Sequence, residues 1–152
     1  MKDIDNKKIL EIRKLTSAGM MEIKQALVES EGDTEKAIDI LKKKGLDKAS
    51  KKSEREISSG LISSYVHLDK AGVLLQLGCE TDFVARTDEF KTFAKDIAQQ
   101  ILVVNPASNE ELLSSSFFKD ESKSIAAMIS EHIAKFGENI TVVKFSRMSL
   151  ED

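Results

Sequence analysis

Along the first 45 residues the apolar positions recur at helical intervals. Ile9, Ile12 and Leu15 follow the potential caps Asp5 and Asn6, and Thr16-Ser17-Ala18-Gly19 then breaks the pattern with cap-forming residues and a glycine. A second helix is predicted from about Met20, with Ile23, Ala26 and Leu27 inward. Glu31-Gly32-Asp33 separates it from a third, in which Ala37, Ile38 and Leu41 face a core. Lys42, Lys43 and Lys44 suit the negative end of that helix, and Gly45 suits a left-handed C-cap. Residues 1–45 thus read as a small three-helix bundle. Residues 46–56 are almost wholly polar and read as a charged linker and domain boundary.

Beyond the linker the period changes. The stretches 57–68 and 73–79 are strand-like, and Asp69-Lys70-Ala71-Gly72 between them suits a β-hairpin. Asp88 to Val104 carries Phe90, Phe93, Ala94, Ile97, Ala98 and Ile101 on one helix face, and Asn105-Pro106 stops it. The stretch 107–118 carries no clear period, although Phe117-Phe118 is suited to dock on a core. Ser124 to Phe136 forms another helix, with Ile125, Met128, Ile129, Ile133 and Phe136 inward and Gly137 ending it. Ile140 to Met148 reads as a third strand. The order β-β-α-α-β predicts an α+β core over 57–152: a small antiparallel three-stranded sheet packed with helices.

Composition narrows the chemistry. The 152 residues are 41% apolar and 32% charged, far from the signature of disorder. A single cysteine excludes an internal disulfide and every multi-cysteine metal or redox site. No apolar run approaches the about 20 residues of a membrane helix, and residues 1–20 lack a signal-peptide pattern, so a cytoplasmic protein is expected. The net charge is −3, and the positive excess is confined to Lys42–Arg55, with seven basic and two acidic residues. No stacking aromatic accompanies it, so a solvated helix end is expected rather than a nucleic-acid surface.

No catalytic constellation is present. Cys79 with His67 or His132 is the one thiol–imidazole pair available, but Cys79 alternates in phase with Val73, Leu75 and Leu77 and reads as core. Neither a metal-ligating spacing nor a phosphate-binding glycine loop occurs, so no enzyme activity, cofactor or metal is expected. Two segments resist a purely structural reading. Met20-Met21 opens a helix, and adjacent residues point about 100° apart, so both cannot be core unless they fill gaps in a loose bundle. In Glu80-Thr81-Asp82-Phe83-Val84-Ala85-Arg86, Thr81 or Asp82 is suited to cap a helical turn that leaves Phe83 outside. The competing reading folds Phe83 back onto the hairpin.

The same segments carry a resemblance. Thr16-Ser17-Ala18-Gly19-Met20-Met21-Glu22-Ile23-Lys24-Gln25-Ala26-Leu27, then Cys79-Glu80-Thr81-Asp82-Phe83-Val84-Ala85, then Gly137-Glu138-Asn139-Ile140 resemble, in order, motifs of the elongation factor Ts family. That resemblance implies a ubiquitin-associated-like bundle, a core domain and a translation elongation role. It implies a partner, the GTPase elongation factor Tu, whose nucleotide exchange the family promotes. By the same resemblance Thr81, Asp82, Phe83 and Val84 match the segment that enters the partner and dislodges its magnesium ion. Met20 and Met21 match positions that touch its nucleotide-binding domain. The alternative is an interaction module whose bundle docks a partner while the core only oligomerises. Longer members of the family carry a second core copy. Strand 140–148 has apolar residues on both faces, so a homodimer pairing two sheets is expected, unless residues 105–118 cover that surface.

Overall fold

The computed structural model describes residues 5–16 and 18–152, so Ser17, expected in the break between the first two helices, lies outside them. Helix α1 (Asn6–Thr16) begins where the Asp5 carboxylate accepts the Lys7 N–H at 3.0 Å. Helix α2 (Met20–Glu29) follows Gly19, whose N–H donates to Glu22 one turn ahead at 3.2 Å. Helix α3 (Thr34–Lys52) is capped by Asp33, which accepts the Lys36 N–H at 3.1 Å. Ile9, Ile12, Ile23, Ala26, Leu27, Ala37 and Leu41 form one buried cluster, with Ile38 against it. Leu15, expected in that cluster, is exposed. It falls about 120° around the helix from Ile9, and Thr16 takes the inward place.

The third helix corrects the expected linker. Gly45 is not a cap; α3 continues through it to Lys52, and only the stretch from Ser53 to Ser58 is non-regular. The polar residues of 46–52 are one solvated side of this helix, while Ala49 is buried in the second core. Gly45 faces helix α7 (Ile125–Phe136) so closely that a Cβ there would stand 3.8 Å from that of Ala134.

The second core is built on strands β1 (Ser59–His67), β2 (Ala71–Cys79) and β5 (Ile140–Ser149), antiparallel in the order β1-β2-β5. The β1–β2 turn differs from expectation: Leu68 and Asp69 take its left-handed positions at φ 51° and 58°, and Gly72 lies within β2 opposite Val66. Helix α5 (Asp88–Val104), capped by Thr87, packs on β1 and β2, and Val73, Leu75, Leu77, Phe90, Phe93, Ala94, Ile97, Ala98 and Ile101 are buried between them. Asn105, left-handed at φ 49°, ends α5 just before Pro106. Helix α7, capped by Ser124 and ended by Gly137 at φ 73°, packs on α3 and β5.

The aperiodic stretch resolves into helix α6 (Asn109–Ser114) and a second, two-stranded sheet of β3 (Ser116–Phe117) and β4 (Asp120–Ser124). Fully buried Gln100 holds it. Its Nε2 donates to Ser115 Oγ and the Ser116 carbonyl, and its Oε1 accepts the Phe118 N–H at 2.9 Å. Phe117 is buried and Phe118 half exposed. No described helix is long and apolar enough to cross a membrane.

Candidate functional site

The connection from β2 to α5 forms the short helical turn α4 (Asp82–Ala85). Four residues cannot sustain a helix by themselves. Thr81 supplies the cap, its Oγ1 accepting the Val84 N–H at 3.4 Å, and the Thr87 hydroxyl donates to the Val84 carbonyl at 2.8 Å. Val84 and Ala85 sink into the core beneath. Phe83 stands on the opposite side, 82% exposed, and beside it Asp82 pairs with Arg86 at 2.8 Å.

The four residues singled out in this segment therefore divide. Asp82 and Phe83 face outward, and Thr81 is exposed but committed to hydrogen bonds of the turn. Val84 differs from them: at 6% exposure it is buried beneath the turn and anchors it. The helical repeat sends residues 83 and 84 about 100° apart, and here Phe83 faces water while Val84 faces the core.

Beyond the Thr81 cap, the turn is held by Glu138, which the sequence marks only as part of a family motif. The Glu138 carboxylate accepts the Glu80 N–H at 3.1 Å, the Thr81 N–H at 3.0 Å and the Thr81 hydroxyl. A second tie runs the other way: Glu80 Oε1 accepts the Asn139 N–H at 2.7 Å, with Arg55 3.7 Å from the same oxygen. The buried Asn139 amide donates in turn to the Ser53 and Arg55 carbonyls, joining the segment after α3 to the start of β5. The available signal was a run of two polar residues, Glu138-Asn139, between a helix-ending glycine and an apolar strand.

Met20 and Met21 occupy the first turn of α2 and are both exposed, Met21 at 77%. The gap-filling alternative therefore fails for them. The Glu22 carboxyl lies below the usual range because Lys48 hydrogen-bonds it, aided by the Gly19 N–H.

The thiol–imidazole pair is not assembled as a nucleophile. Cys79 is buried and its Sγ donates to the Thr81 carbonyl at 3.2 Å. Burial, and then the nearby Glu138 charge, pushes its thiol pKa up, away from a reactive thiolate. His132 stacks on Phe93 with ring centres 3.6 Å apart, and burial holds its imidazole below the usual range. His67 instead meets the Tyr65 hydroxyl at 3.2 Å.

Comparison with known proteins identifies the family. The family pattern described as Elongation factor TS matches residues 80–152, from the start of the α4 connection onward. Elongation factor Ts of Thermodesulfovibrio yellowstonii is 41% identical over 93% of this chain and 94% of its own length. That of Fervidobacterium nodosum is 41% identical over 97% of this chain and 98% of its own. Elongation factor Ts of a Nostoc species is 44% identical over the whole chain, which spans 48% of that longer relative. With a bundle, an α+β core and an exposed aromatic turn in the matched region, this chain belongs to the elongation factor Ts family of translation elongation factors.

Proposed function

We propose that this chain is a guanine-nucleotide exchange factor for elongation factor Tu and performs no covalent step. A GTPase of the P-loop class holds GDP through backbone amides around the phosphates and through a Mg²⁺ ion that bridges them. A protein that binds the nucleotide-free form better than the GDP form weakens GDP binding by the same factor, because the coupling is reciprocal. The observation that carries the reading is Phe83: an apolar ring, 82% exposed, held on a short turn with a buried underside. Such a wedge, pressed between packed elements of the partner, shifts them between discrete arrangements. Asp82 and Thr81 flank it, Mg²⁺ is displaced, and GDP leaves. Met20 and Met21 supply a second, adaptable contact on the bundle. In this scheme the bundle contributes affinity and the core contributes exchange.

The plain interaction module remains the competitor, and it gives Phe83 no part in nucleotide release. Release of labelled GDP from elongation factor Tu decides between them. The exchange reading expects acceleration by catalytic amounts of this chain; stoichiometric binding without acceleration overturns it.

We further propose that the exchange factor acts as a homodimer through the uncovered face of its sheet. In the observed register Ile62, Ser64 and Val66 of β1, Gly72, Leu74 and Gln76 of β2, and Lys144, Ser146 and Met148 of β5 share one face. Ile62, Val66, Leu74 and Met148 are all exposed there, and residues 105–118 leave them so.

A further inference from the structure

Phe83 is oriented by almost nothing that touches it. Its ring is largely in solvent, so its direction is set by the backbone of α4, a helix too short to be stable by itself. The local tethers are the Thr81 cap, the Thr87 hydroxyl on the Val84 carbonyl, and the burial of Val84 and Ala85. A further one comes from 57 residues away, where both carboxylate oxygens of Glu138 are occupied by groups on the two residues that precede the turn.

Resting on the exchange reading above, we propose that Glu138 is a positioning residue: it fixes the backbone of Glu80 and Thr81 and thereby the direction in which Phe83 meets the partner. The chemistry explains why a carboxylate is used. One oxygen, Oε2, accepts two backbone N–H groups, and the other accepts the Thr81 hydroxyl. Because that hydroxyl gives its proton to Glu138, its lone pairs point toward the Val84 N–H and complete the cap. An amide at position 138 keeps one acceptor oxygen but presents N–H groups in place of the other. With the amide nitrogen toward Thr81, the hydroxyl must accept from it, and the cap competes for the same lone pairs.

Glu138 is itself placed with little freedom. Left-handed Gly137 ends α7 immediately before it, and Asn139 immediately after it is buried and tied to Glu80, Ser53 and Arg55. The tie is thus anchored in α7, β5 and the segment after α3, while Phe83 is left free to engage.

The test uses two readouts. The chain has no Trp, so Phe83→Trp gives a single indole at the wedge, used only to report its motion in the free protein. Nanosecond anisotropy of that indole should show markedly greater local mobility when Glu138→Ala is added, and an intermediate value with Glu138→Gln. In the chain that keeps Phe83, Glu138→Ala should lower the maximal GDP-release rate at least tenfold, with half-saturation changed less than threefold. Glu138→Gln should restore part of that rate. Circular dichroism and melting establish that each variant is folded at the assay temperature; if Glu138→Ala is not, Glu138→Gln carries the test. Unchanged indole mobility overturns the positioning role, and so does a loss that falls wholly on half-saturation. A wild-type chain that releases no GDP overturns the exchange reading instead, and the anisotropy still decides whether Glu138 holds the turn.

Discussion

Phe83 and Val84 are consecutive in the chain and opposite in environment, and substituting each should give opposite results. Phe83→Ala removes a ring that contacts mainly water, so stability should change by no more than about 0.5 kcal/mol while accelerated GDP release is largely lost. Val84→Ala removes buried methyl groups from beneath the turn and should cost on the order of 2 kcal/mol. Urea titration of both variants checks the pair; a large stability loss in Phe83→Ala would place its ring in the core. His132 gives a pH signature from the same reasoning. Burial against Phe93 keeps its imidazole below the usual range, so on acidification the unfolded chain takes up the proton first, near pH 6.5. Stability is therefore full above that pH and falls as pH drops through it toward the lower folded value. His132→Phe keeps a ring against Phe93 and should flatten the stability curve between pH 7 and pH 5. A slope identical to wild type would show that His132 is not the group responsible.

Helix α3 shows which elements the sequence revealed and which it concealed. Apolar period and caps located α2, α5, α7 and the three long strands to within a few residues, because each buries one apolar face. The same logic failed at 46–52, where the inward positions are Gly45 and Ala49, too small to register as an apolar stripe beside so many lysines. Their smallness is what lets α3 approach α7, a relation invisible until both helices are placed. The β3–β4 sheet was hidden for a different reason. It is held by the buried Gln100 side chain, and a glutamine in a helical pattern carries no signal of its partners. The aromatic turn and its Thr81 cap were legible as residues, but the Glu138 tie was not, since Glu138 lies 57 residues along the chain from Thr81. Gly45 yields a sign test of the continuous helix. An added Cβ would meet Ala134 at ordinary contact distance, and alanine is the better helix former. Gly45→Ala should therefore stabilise the chain by about 0.5–1 kcal/mol in urea denaturation. A left-handed cap at the same position would make that substitution destabilising.

At the scale of the whole molecule the unresolved asymmetry is the sheet. One face is closed by α5, while the other exposes Ile62, Val66, Leu74 and Met148, with Lys144 the sole charged residue among the outward positions of the paired strands. Contiguous apolar surface of this kind marks an interface in most proteins that expose it. Gly72 carries no side chain on this face, so a second sheet can approach the Leu74 end of the central strand to the roughly 10 Å at which sheets stack, whereas Ile57 and Val143 already cover Gly78. A two-fold pairing places the same patch against itself. The single thiol, Cys79, is buried, so the association should be unaffected by reductant and should weaken on dilution. Leu74 sits on the middle strand of that face, and Leu74→Glu would set two like charges against each other at the centre of the pair. Light scattering coupled to size exclusion should give a dimer mass for the wild type at tens of micromolar and a monomer mass for Leu74→Glu, with the circular dichroism of the two alike. A wild-type monomer at that concentration, with full exchange activity, would remove the dimer; a Leu74→Glu protein that stays dimeric would move the interface to another face.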